Sequence, residues 1–134
     1  MGESKTKPKA ETISLTTVLM GLEDGAIIGR DRDGIEIALT VQMAINRALT
    51  VGMDVLSELG KARGPVVPES EKSAAGALAF HLKGLPKSQT GYGFTPEQKT
   101  LIRKCSDAGN NTLVHCALMR IIDPETAEKQ EKNL

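Results

Sequence analysis

The chain has 134 residues, enough for one domain with one modest core. Hydrophobic residues make up 40% of it, but Trp is absent and the aromatics are Tyr92, Phe80 and Phe94, so the core rests on Leu, Ile, Val, Met and Ala and favours packed helices over a sandwich or barrel. The 17 basic and 17 acidic residues cancel, which argues against a general polyanion binder but leaves room for a local basic face.

Residues 1–12 are polar, carry Pro8 and read as a flexible arm. No signal-like hydrophobic stretch follows MGESKTKPKAE, and no run approaches the roughly 18 apolar residues of a membrane span. From Ile13 to Leu22, the residues Ile13, Leu15, Val18, Leu19 and Leu22 predict a short helix frayed by Gly21 and Gly25. Residues 26–39 are the one strand candidate: Ala26 to Arg30 and Ile35 to Leu39 flank DRDG, whose Asp33-Gly34 pair suits a tight hairpin turn. The rival reading is a single helix from about Gly34 through Leu59.

Apolar residues then recur at three- and four-residue steps through Val41, Ile45, Ala48, Leu49, Gly52, Val55, Leu56 and Leu59, with Thr40 placed to cap the start. This is the expected central helix. Met43 and Met53 widen its apolar surface, so Val41, Ile45, Leu49, Met53, Leu56 and Leu59 are the candidate partner-binding residues. Gly64, Pro65 and Pro68 force a loop. Glu69 to Lys83 follows as a helix with acids at its start and a base at its end, as the helix dipole prefers, and with Ala74, Ala77, Leu78 and Leu82 as its expected buried stripe. Gly84 to Gly93 reads as a second loop.

Thr95, Pro96 and Gln98 spell a capping box at the head of a helix ending at Ala108-Gly109. Asn110, Asn111 or Thr112 caps the next, whose apolar face is Leu113, Cys116, Ala117, Leu118, Ile121 and Ile122. Residues 124–134 form a polar tail. The expectation is therefore a mainly α, compact bundle of four or five helices in one domain over residues 13–123, with residues 26–39 left open between a short β-hairpin and a helix.

A helix, a glycine turn and a second helix is also the outline of a DNA-reading helix-turn-helix over residues 96–120. Lys99, Arg103, Lys104 and Arg120 would meet phosphates, and Asn110 and Asn111 base edges. The register counts against it: six residues after the turn glycine stands His115, where an apolar residue is wanted, and Val114 is one place off.

Metal binding has no short ligand pair to start from. Adjacent His115 and Cys116 point about 100 degrees apart on a helix, with Cys105 and His81 elsewhere. Asp31, Asp33 and Glu36 resemble half a calcium loop, but its twelfth position is Thr40 rather than a carboxylate. GxSxG, GxxxxGK[ST] and GxGxxG are not spelled. A Cys105 or Cys116 nucleophile would need a lowered thiol pKa and a nearby base. No catalytic, cofactor-binding or metal-binding residue is assigned. The reading is a cytoplasmic helical interaction or regulatory protein, a homodimer or a subunit on a protein partner. The DNA-binding regulator is its alternative and a cysteine-dependent enzyme comes third.

Overall fold

Three helices begin where a side-chain oxygen is placed to take up a free backbone N–H. The computed structural model describes residues 12–20, 29–30 and 33–124. Thr40 Oγ1 accepts from the Met43 N–H at the start of α1 (Val41–Arg47). Thr95 heads α4 (Pro96–Gly109) with both bonds of its capping box made, at 3.1 and 2.9 Å. Asn111 Oδ1 accepts from the Val114 N–H, 2.9 Å away, at the head of α5 (Thr112–Ile122). Without a side-chain cap, α3 (Glu69–Lys83) follows Pro68 and carries Glu69 and Glu71 in its first turn, where the dipole favours negative charge.

The central helix is one rod made of α1, a π-helical turn over Ala48–Gly52, and α2 (Met53–Arg63). The wide turn is the departure from the regular 3.6-residue repeat that the sequence predicts. It falls where the rod presses most closely on α4. Ala44, Ile45, Ala48 and Leu49 from the rod meet Leu78 and Leu82 of α3, Ile102 and Cys105 of α4, and Leu118 and Ile122 of α5 in one core. The α4–α5 corner is tied to the rod by two further bonds. Arg47 Nε donates to the Gly109 carbonyl (3.2 Å) and Asn110 Nδ2 donates to the Ala44 carbonyl (3.3 Å).

The expected helix over 13–22 is not formed where the chain is described. Ile13–Ser14 is a strand, β1, paired antiparallel with Gly91–Tyr92 at the end of the expected loop, Ile13 opposite Tyr92. Beyond it, Leu19 N–H donates to the Leu39 carbonyl and Val41 N–H to the Thr17 carbonyl, and Val18 bridges Thr40. Ile13 and Leu15 are buried with exposed Ser14 between them, a two-residue period, and β-branched Thr16, Thr17 and Val18 follow. Leu22 lies outside the described residues.

The hairpin is present. Gly29–Arg30 (β2) pairs antiparallel with Glu36–Ile37 (β3), and Gly91–Tyr92 is thus β4. Gly34 sits at φ +80, the left-handed conformation that favours glycine in a turn. The rod begins at Val41, so no helix runs from Gly34. The fold is a compact, mainly helical bundle of four helices (the rod, α3, α4 and α5) with a small antiparallel hairpin. The expected arm and tail lie outside the described residues except for Thr12 and Pro124. Among the described residues, no helix is long and apolar enough to cross a membrane.

Candidate functional site

Both α3 and α4 rest on the rod, and a groove of two adjoining hollows, about 430 and 470 Å³, runs between them. Ala74 and Leu101 line both hollows, with Ala77 and Leu78 in the first and Thr100 in the second. Small side chains on α3 explain the opening, because alanine cannot reach across to α4. Glu71 and Lys104 bridge one end as an ion pair of 2.7 Å. At the other, Tyr92 stands edge-on to His81 with ring centres 5.5 Å apart. The result is a trough floored by Ala and Leu, with Glu97 beside both hollows and charged and aromatic side chains at its ends. Phe80, on the outer face of α3, is 82% exposed.

Most of the candidate partner face on the rod is interior. Val41, Ile45, Leu49 and Met53 are buried in the chain's own core, and Leu56 packs half-buried against it. Leu59 is exposed, and the other outward apolar residues on the rod are Met43 and Val51. The periodicity located a buried face; the chain itself covers that face.

The candidate DNA-contacting residues are also drawn into the fold. Arg103 holds Asp123 at 2.9 Å, joining α4 to the end of α5, and Lys104 holds Glu71. Asn110 turns inward to the Ala44 carbonyl, and Asn111 serves as the cap of α5. Lys99 and Arg120 are half-buried. The exposed residues of α5 are Thr112, Leu113 and Cys116, with half-buried Arg120 one turn beyond Cys116 on the same face.

Sequence reasoning missed a polar cluster beneath the α4–α5 corner. Ser106 is fully buried; its Oγ accepts from Asn110 Nδ2 and lies 2.9 Å from His115 Nδ1. The i, i+4 spacing of Ser106 and Asn110 was a readable hint that they share a face. Either Ser106 or His115 donates in this contact, according to the ring tautomer, and His115 Nε2 lies 3.9 Å from Asp107 Oδ1. Ser106, His115 and Asp107 are thus brought together beneath the corner, with the Ser106 hydroxyl sealed from solvent.

Burial lowers the His115 pKa from its ordinary value, opposed by Asp107 and reinforced by Arg103. The folded protein therefore binds a proton there less readily than the unfolded chain, so the stability is present above the unfolded value of 6.5 and declines as pH falls below it. The decline ends once pH is below the folded value. His115→Gln should flatten this part of the profile, read as the difference between the two melting curves across mildly acidic pH. Identical slopes would show that His115 is free to ionise in the fold.

The two thiols differ. Cys105 is buried and its pKa is pushed up to about 11, chiefly by burial, with Lys104 pulling against it and Glu71 adding to it. It is a protonated core thiol at neutral pH. Cys116 is exposed. The chain matches no known protein-family model, no curated protein and no solved structure.

Proposed function

We propose that this is a helical interaction or regulatory protein without chemistry of its own, and that it works through the groove between α3 and α4. The observation that carries the reading is the groove itself: a trough of about 430 and 470 Å³, floored by Ala74, Ala77 and Leu101, with Glu97 beside both hollows. Apolar surface of that shape gains free energy when another protein covers it, at roughly 25 cal/mol for each Å² removed from water before association costs.

The state of the other candidates supports this reading. Cys105 holds its proton at neutral pH and Ser106 is closed off, so neither is poised as a nucleophile. Arg103 and Lys104 already carry carboxylate partners, which weakens the case for phosphate contacts.

A photo-reactive residue placed at Ala74 tests it, with the same residue at exposed Asp54 on α2 as control. Irradiation in cells should give protein adducts from position 74 and not from 54. Equal labelling from both positions, or no protein adduct from 74, would overturn the reading.

A further inference from the structure

We infer that the chain's own residues 5–11 cover the Tyr92 end of the groove, continuing β1 as a longer strand and setting Lys7 and Lys9 beside Glu97. The inference rests on the groove being a binding site and names a segment that occupies it. The described chain enters at that end: Ile13 lies opposite Tyr92, and Tyr92 lines the first hollow with His81 and Glu97. Eleven residues precede Thr12, about 36 Å of chain if extended, against about 22 Å for the 15 residues of α3.

The pairing of β1 with β4 has an unused place. Leu15 N–H donates to the Thr90 carbonyl at 2.7 Å, and Ser14 lies opposite Gly91. Hydrogen-bonded pairs alternate along an antiparallel ladder, so they fall at Ile13 with Tyr92 and, two places on, at residue 11 with Phe94. Among the described residues, neither the N–H nor the carbonyl of Phe94 has a hydrogen-bond partner. Thr95 instead gives its N–H to Gln98 Oε1 in the capping box, which suits a position whose N–H turns away from the added strand. Because α4 starts at Pro96, pairing stops opposite Thr95, at Ala10; Pro8, with no N–H to donate, falls beyond it.

The segment's own pattern suits the surface. Lys5, Lys7, Lys9 and Glu11 alternate with Thr6, Pro8, Ala10 and Thr12, the same two-residue period that Ile13 and Leu15 carry on. Residues directly opposite each other share a face, so this register puts Lys7 and Lys9 on the side of Tyr92, which is the side of the groove. Glu97, exposed in the first turn of α4, lines both hollows and makes no ion pair among the described residues. The groove's other carboxylate, Glu71, is already held by Lys104. Residues 5–10 bring three lysines and no acid to the one that is free.

A photo-reactive residue at Ala74, which lines both hollows with Glu97, tests the inference in the purified full chain. Irradiation at low concentration should join position 74 to residues 5–11 of the same molecule, read by mass spectrometry on a mixture of isotope-labelled and unlabelled chains. Glu97→Lys should lower the yield several-fold, and adding Lys7→Glu and Lys9→Glu should restore it. Hydrogen exchange reads the same contact with nothing added to the groove: the Phe94 amide should exchange several-fold faster in Glu97→Lys and recover in the triple variant. No link to residues 5–11, links only between labelled and unlabelled chains, or charge changes that move neither readout would each overturn the inference. Protein adducts from position 74 in cells, without a link in the purified chain, would leave the interaction reading standing alone. A link without cellular adducts would uphold the inference and remove the separate partner; absence of both would remove the two together.

Discussion

Gly52→Ala is expected to lower the stability of the protomer by about 3 kcal/mol or more, through overpacking against rigid backbone. A Cβ at Gly52 would overlap the carbonyl oxygen of Cys105 and lie 2.8 Å from its carbonyl carbon. Neither atom belongs to a flexible side chain, so relief requires moving α4 off the rod, where the core is deepest. Gly109 is the reciprocal position: its Cβ would stand 2.5 Å from the Cα of Gly52 and 2.6 Å from its nitrogen. Gly109→Ala should therefore be costly too, and combining the two changes should cost less than the sum, because one separation of the helices relieves both. Gly76→Ala is the contrasting case. With open space around its Cβ, it should stabilise the isolated protomer by about 0.5–1 kcal/mol. Urea unfolding at concentrations too low for association measures all four variants. A Gly52→Ala protein as stable as the wild type would mean that the rod and α4 do not touch there.

The second large effect separates the two sides of the rod. Ile45 is fully buried, whereas Leu59 on the same apolar repeat is 43% exposed. Ile45→Ala should cost about 2–5 kcal/mol, combining lost burial with the cavity left behind, and Leu59→Ala less than about 1 kcal/mol. Both are read from urea midpoints in the same buffer. Equal losses would put the repeat's exposed end into a shared interface or core. A small loss at Ile45 would contradict the packing of the rod altogether. The contrast bears directly on function: residues that the chain needs for its own core are not free to hold a partner.

The helices that were legible in the sequence are those whose ends are written locally. Thr95-Pro96 with Gln98 encodes a cap that needs no distant residue, and the bonds it predicts are the bonds formed. The acids and bases at the two ends of α3, and Thr40 before the rod, are equally local. The Asp33-Gly34 turn belongs with them, since its geometry depends on a glycine at positive φ. Residues 13–20 were misread because five apolar residues in ten satisfy a helical spacing loosely. Here extended backbone prevails, held by the Thr90 and Leu39 carbonyls, by the Val41 N–H that donates to the Thr17 carbonyl, and by burial of Ile13, Leu15 and Leu19. Those partners are supplied by other parts of the chain, and no window around Ile13 contains them.

The candidate site divides the same way. Sequence alone determined that the rod has a buried stripe, that α4 and α5 meet at a glycine corner, and that Arg103 and Lys104 are close together on α4. It could not determine what covers the stripe or where the charges go, because a helical period specifies a face and not the surface opposite it. Tertiary structure decided that Val41, Ile45, Leu49 and Met53 face their own chain, that Arg103 and Lys104 are paired with Asp123 and Glu71, and that Asn110 turns inward. It also decided that Ala74 and Ala77 of α3 stay exposed along an open groove against α4. The physical reason is that exposure belongs to a packed assembly of elements: the same alanines that let helices approach leave a trough wherever no neighbour arrives to fill it.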